Sequence, residues 1–244
     1  MRRFLPSRRS VASGVALVVL AGGAYAAARE TSAFAVQRIE VTGAPPEIQA
    51  QVRRALDPLR GTSLLALDGA ALQGRAEALS TIVSAGFDRA FPHTLRVAVV
   101  PERPVAVLRR GRQWWLVSAR GRVVARLAPR SEAALPRIWL PTTTAVDVGS
   151  FLRPGAGGVA ARALALAAGF PAPLQTAAVR HGALVFRLHS GLELRLGAAS
   201  DIRLKLAIAR RALPLLPSDA TYLDLSVPGR PVAGQANTQL SGRD

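Results

Sequence analysis

The chain has 244 residues, of which 50% are hydrophobic, 5% aromatic and none cysteine; 32 basic residues face 15 acidic ones, for a formal net charge of +17. That length and apolar content exclude a disordered chain and predict one or two folded domains with a real core. The missing cysteine excludes a disulfide framework, thiolate zinc, an Fe–S cluster and a cysteine nucleophile.

The first predicted element is a membrane segment. Residues 1–9 carry Arg2, Arg3, Arg8 and Arg9 and no acid, and Ser10 to Ala28 is a run of 19 residues without charge. About 20 apolar residues cross a bilayer core as a helix. Arginines ahead of a span hold that end in the cytoplasm. This reads as a cytoplasmic tail (1–9) and a transmembrane helix (10–28). A cleaved signal peptide ending near Ala26-Ala27-Ala28 fits the same residues. Both readings export residues 30–244.

Phe34 to Gly43 reads as a strand, with Phe34, Val36, Ile39 and Val41 as its apolar positions. Pro45-Pro46 opens a helix whose apolar face is Ile48, Val52, Leu56 and Leu59, stopped by Pro58 and Gly61. Asp68 caps a second helix with Leu72, Ala76, Leu79 and Val83 on one face. A strand pattern follows over about Ile82–Ala90. Phe91-Pro92-His93 is a turn, Thr94–Val100 alternates as a second strand, and Pro101-Glu102-Arg103-Pro104 ends it.

That strand–helix–helix–strand–strand order, with its motifs, resembles the POTRA domain of the FtsQ/DivIB family of bacterial cell-division proteins. The residues that carry the resemblance are Ile39-Glu-Val-Thr-Gly43, Gly61-Thr-Ser-Leu-Leu-Ala-Leu-Asp68, and above all Phe91-Pro-His-Thr-Leu-Arg-Val-Ala-Val-Val-Pro-Glu-Arg-Pro-Val-Ala106. Two places depart from the family pattern and bear on strand register. Pro104 follows Arg103 directly, and Ser80-Thr-Ile-Val83 replaces the usual Pro-x-Val.

The resemblance continues through a hairpin-like Trp115–Val123, Leu135-Pro136, and Gly191-Leu-Glu-Leu-Arg-Leu-Gly197. It then takes in Lys205-Leu206 on a helix with Ile202, Leu206, Ala209 and Leu213 as its apolar face, and finally Tyr222–Leu225 with Arg230-Pro-Val232. It implies an α+β architecture: a single transmembrane helix (10–28), a POTRA domain (34–104), a mostly antiparallel β domain with helices (105–235) and a disordered tail (236–244). It also implies an uncleaved span, which favours the anchor over the signal peptide.

The charge is spread along the chain. Of the 32 basic residues 31 are Arg, and Lys205 is the one lysine. No run of five like charges and no nucleic-acid-binding motif occurs, so the arginines read as a solvated surface and nucleic acid is not an expected partner. Trp114, Trp115 and Trp139 make a poor stacking platform for bases.

No catalytic constellation is legible. His181 and His189 sit across an expected hairpin (Val179–Leu188, then Leu192–Leu196) at a spacing unsuited to a metal, and His93 belongs to a turn. Pro154-Gly-Ala-Gly-Gly158 lacks the spacing of a phosphate loop and reads as the start of a helix over Val159–Ala168. Glu102-Arg103 reads either as a buried pair or as a solvent-facing one. No enzyme activity, cofactor, metal or small-molecule substrate is expected.

The resemblance implies a bitopic scaffold at the division septum of the cytoplasmic membrane. Its partners would be membrane proteins of the FtsB and FtsL type, bound outside that membrane by β-augmentation. The residues it assigns to partner binding are Val227 and Pro231, Val232, Ala233 and Gly234. Pro228 and Pro231 lack N–H donors and restrict which edge can pair. The alternatives are a POTRA-type transport or secretion component, for which the chain lacks the ~10-residue alternating segments of a membrane barrel, and an exported hydrolase or cell-wall-binding protein.

Overall fold

The computed structural model describes residues 8–30, 32–128 and 134–235. The expected tail at 236–244 and residues 1–7 of the expected cytoplasmic tail lie outside them. Helix α1 (Arg8–Glu30, 23 residues) contains the predicted segment 10–28. Among the described residues no helix is long and apolar enough to cross a membrane.

The chain divides into two compact units at Pro101/Glu102. In the first, β1 (Arg38–Thr42) is followed by α2 (Pro46–Leu56), α3 (Gly69–Glu77), β2 (Ile82–Ala90) and β3 (Thr94–Pro101). The sheet order is β1-β3-β2, with β1 parallel and β2 antiparallel to β3. Val52 and Leu56 of α2 and Leu72 and Ala76 of α3 are buried against Ile39, Val41, Leu95, Val97 and Val99 of the sheet. Each fully buried Val or Leu contributes about 1.5–3 kcal/mol of transfer free energy. The Asp68 carboxylate accepts from the Ala70 N–H at 2.9 Å and caps α3 as the sequence predicts. Gly43 follows β1 at φ +88°, and a Cβ there would collide with the Val99 carbonyl oxygen.

Three local expectations change. β1 starts at Arg38 and not at Phe34, because the Gln37 and Arg38 N–H groups both donate to His93 O, and Phe34 belongs to a short 3-10 turn. Leu59 lies beyond α2 in the 3-10 turn Asp57–Leu59, yet still packs on the core. Val83 is on β2 and not on α3, which stops at Glu77 as the Leu79 N–H tightens onto Ala76 O.

The second unit is built on a nine-stranded sheet. Its strands are β4 (Pro104–Arg110), β5 (Gln113–Ser118), β6 (Val123–Leu127), β7 (Arg137–Trp139), β8 (Leu174–Arg180), β9 (Ala183–Leu188), β10 (Glu193–Gly197), β11 (Tyr222–Asp224) and β12 (Val232–Gly234). The order is β12-β11-β10-β9-β8-β7-β4-β5-β6. The pairs β4/β7, β7/β8 and β10/β11 are parallel and the other five antiparallel, so the expected mostly antiparallel sheet is present. Helices α4 (Gly158–Leu166) and α5 (Ile202–Ala212) share one core with the inward residues of the strands, among them Leu108, Trp115, Ile138, Phe186 and Leu194.

The two departures from the family pattern coincide with register shifts. β2 slips against β3 between Ile82 and Ser84, and β4 slips against β5 between Pro104 and Ala106. An extra residue at such a bulge re-aims the chain without ending the strand. Val179–Leu188 is not one strand. His181 (φ 50°) and Gly182 (φ 78°) turn the chain between β8 and β9. Glu102 is buried and its partner is Arg120, not the exposed Arg103: Arg120 Nη2 and Nε donate to Glu102 Oε1 at 2.6 and 3.2 Å.

Candidate partner-binding edge

The candidate site is assembled from the inside of the sheet outward, beginning at Lys205. This residue is 1% exposed, and its Nζ donates to the carbonyls of Leu196 and Ala198 at 2.7 Å each. A buried ammonium is costly unless its donors are satisfied, and here they secure the end of β10. Gly197, between the two carbonyls, sits at φ +63°; a Cβ there would lie 2.8 Å from Ser226 Cβ and Oγ. Glycine thus lets the segment after β11 pack directly on the end of β10. Leu225 N–H adds a bond to Arg195 O at 2.7 Å, and Ser226 N–H one to Asp224 Oδ1 at 2.8 Å.

β11 lies parallel on β10, and β12 closes the sheet antiparallel to β11 in the register Tyr222↔Gly234, Leu223↔Ala233, Asp224↔Val232. The Tyr222 ring covers Gly234, where a Cβ would meet its hydroxyl at 2.7 Å, and the Arg195 guanidinium stacks over the same ring at 4.0 Å. An aromatic ring beside a strand glycine fills the space its missing side chain leaves. β12 is the outermost strand: among the described residues no strand pairs with its far side. An unpaired edge is a row of hydrogen-bonding groups ready for another chain.

Of the five predicted site residues, Val232, Ala233 and Gly234 form β12. Pro231 immediately precedes it. Val227 is 60% exposed in the β11–β12 turn and does not belong to the edge. Pro228 lies in that same turn, which Arg230 N–H closes onto Val227 O. Both prolines therefore lie outside the β11–β12 ladder. Tyr222 and Arg195, which support Gly234, are not picked out by the sequence reading. The one available signal is an aromatic residue in a short strand that must pair with a glycine-ended one.

The histidines stand apart. His93 Nδ1 lies 3.1 Å from Ala35 O, His189 Nδ1 lies 3.2 Å from Pro173 O, and His181 occupies the β8–β9 turn. Among the described residues no three His, Asp or Glu side chains group as metal ligands.

Residues 34–102 match the FtsQ-type POTRA domain, and residues 106–226 match the C-terminal domain of cell division protein FtsQ/DivIB. The chain belongs to the FtsQ/DivIB family of cell division proteins. It is 28% identical over 235 residues to a "Cell division protein FtsQ" of Streptomyces collinus, covering 93% of this chain and 88% of that protein. It is 31% identical over 124 residues to a protein of the same name from Streptomyces coelicolor, where the match spans 50% of this chain and about half, 47%, of the relative. The C-terminal domain match stops at residue 226, before β12.

Proposed function

We propose that this cell division protein is a non-enzymatic, single-pass scaffold of the division machinery, acting at the septum on the outer side of the cytoplasmic membrane. Its partners in this reading are membrane proteins of the FtsB and FtsL type, which add a strand to β12 by β-augmentation. The observation that supports the docking surface most directly is the position of β12, outermost in a nine-stranded sheet with its far side unpaired among the described residues. Residues 34–104 serve in this reading as the recruitment domain and 105–235 as the docking domain.

The proposed anchor is residues 10–28, with residues 1–9 in the cytoplasm. Its support is the charge-free run behind Arg2, Arg3, Arg8 and Arg9. A second observation agrees: Val15, Leu17, Val18, Val19 and Leu20 are all more than half exposed along α1. A helix presenting such side chains in water loses the stabilisation that lipid contact supplies.

The decisive experiment truncates the chain after Ser226. The truncate is expected to lose co-purification of the partners while the POTRA domain stays folded, and normal co-purification would overturn the edge assignment. A fluorescent fusion of the full chain should form a midcell ring, whereas a uniform envelope signal opposes the septal role. Alkaline extraction should leave the full chain in the membrane pellet and release a chain lacking residues 1–30.

A further inference from the structure

The second unit carries a feature that the edge does not use. Along β7 the buried Ile138 is flanked by the exposed Arg137 and Trp139. β7 ends at Trp139 while the neighbouring β8 runs on to Arg180. The gap is a cleft of about 530 Å³, lined by Arg137, Trp139, Thr176, Arg180 and Arg187 and by no acidic residue. Its size suits a small ligand or one or two units of a polymer.

The cations in it have little to do locally. The Arg180 side chain has no hydrogen-bond or ion-pair partner among the described residues, Arg137 rests over Trp114 at 6.0 Å, and Arg187 has only a loose 3.9 Å contact with Glu193. One face of the Trp139 indole carries the Arg109 guanidinium at 4.3 Å, yet Trp139 remains 52% exposed.

We propose that this cleft binds an anionic saccharide. A sugar ring stacks on Trp139, and Arg137, Arg180 and Arg187 hold its phosphate or carboxylate group. Guanidinium groups match such oxyanions with paired, charge-assisted hydrogen bonds. An exposed indole offers a flat apolar surface to the C–H face of a sugar. An acidic peptide is the weaker fit: β7 is already paired with β4 on one side and β8 on the other, so the cleft floor has no open ladder to hold an extended chain. The proposal rests on the cleft and not on the β12 edge.

The test is a tryptophan-fluorescence and calorimetric titration of the full chain in detergent. The probes are N-acetylglucosamine 1-phosphate, neutral N-acetylglucosamine, inorganic phosphate and a glutamate-rich peptide. The sugar phosphate should bind saturably, and more tightly than either the neutral sugar or phosphate. Arg180→Ala should weaken it about tenfold, the worth of one lost charged hydrogen bond. Trp139→Leu should weaken the sugar phosphate and leave phosphate binding unchanged. Both side chains are exposed, so neither variant threatens the fold. The proposal is overturned if no saturable binding occurs at millimolar probe, or if the triple variant Arg137→Ala/Arg180→Ala/Arg187→Ala binds as well as the parent. Binding of the peptide in preference to the sugar phosphate also overturns it.

Discussion

The Lys205 ammonium donates to the Leu196 carbonyl oxygen at 2.7 Å from inside the core of the second unit. It joins α5 to the end of β10 by the tip of a side chain. Replacing it with methionine keeps the apolar stem but orphans that buried carbonyl. An unsatisfied buried acceptor costs about 1–3 kcal/mol. Lys205→Met should lower the stability of the unit spanning residues 102–244 by about 2 kcal/mol, read from urea unfolding. An unchanged midpoint would show that the ammonium is dispensable.

The Glu102–Arg120 pair makes an asymmetric prediction. The Glu102 side chain is 2% exposed and that of Arg120 45%. Removing the arginine strands a buried carboxylate; removing the carboxylate leaves a guanidinium that water still reaches. Arg120→Ala should therefore destabilise more than Glu102→Gln, by about 1–2 kcal/mol, below the range for a fully buried pair because solvent screens the arginine. A double-mutant cycle in thermal or urea unfolding measures the coupling. Equal single effects would refute the asymmetry.

Gly43 should tolerate no side chain. Its left-handed backbone and the Val99 carbonyl both oppose a Cβ. Gly43→Ala should cost about 2 kcal/mol and lower the Tm of the POTRA domain by roughly 8–16 °C, taking ~4–8 °C per kcal/mol for a domain of this size. A circular dichroism melt tests this.

Proline at Ala233 separates docking from folding. β12 has three residues, none of them buried, so the strand adds little to the core. A proline removes an N–H and cannot continue a ladder. Ala233→Pro should abolish strand addition by a partner, measured by co-purification, with a loss of stability below about 1 kcal/mol. Retained partner capture would argue that docking does not use the β12 backbone.

Parts of this fold are legible in the residues alone. Ile82–Ala90 and Thr94–Val100 read correctly because each is long and bounded by turn residues. The Asp68 cap is a local interaction and reads as such. β7 does not: three residues set among Pro136 and Pro141 become a strand only because β4 and β8 lie on either side. Glu102 has a charged neighbour in Arg103, but its partner is reached across the β4–β5 hairpin. Lys205 stands out as the single lysine, but its carbonyl partners depend on where β10 ends. Val232–Gly234 is marked through the family resemblance, while the Tyr222–Arg195 stack behind it depends on a register that sequence spacing does not reveal.

The strand at the rim of the large sheet is also the last of that sheet in chain order. During synthesis every other strand is made before Val232, and β11 must settle on β10 before β12 has anything to lie against. A chain cut short before Val232, or one whose β11 has not paired with β10, presents no such rim. If partners dock at this edge as proposed, a binder that recognises it also reads whether β10 to β12 have assembled, and docking doubles as a test of completion at that end of the sheet.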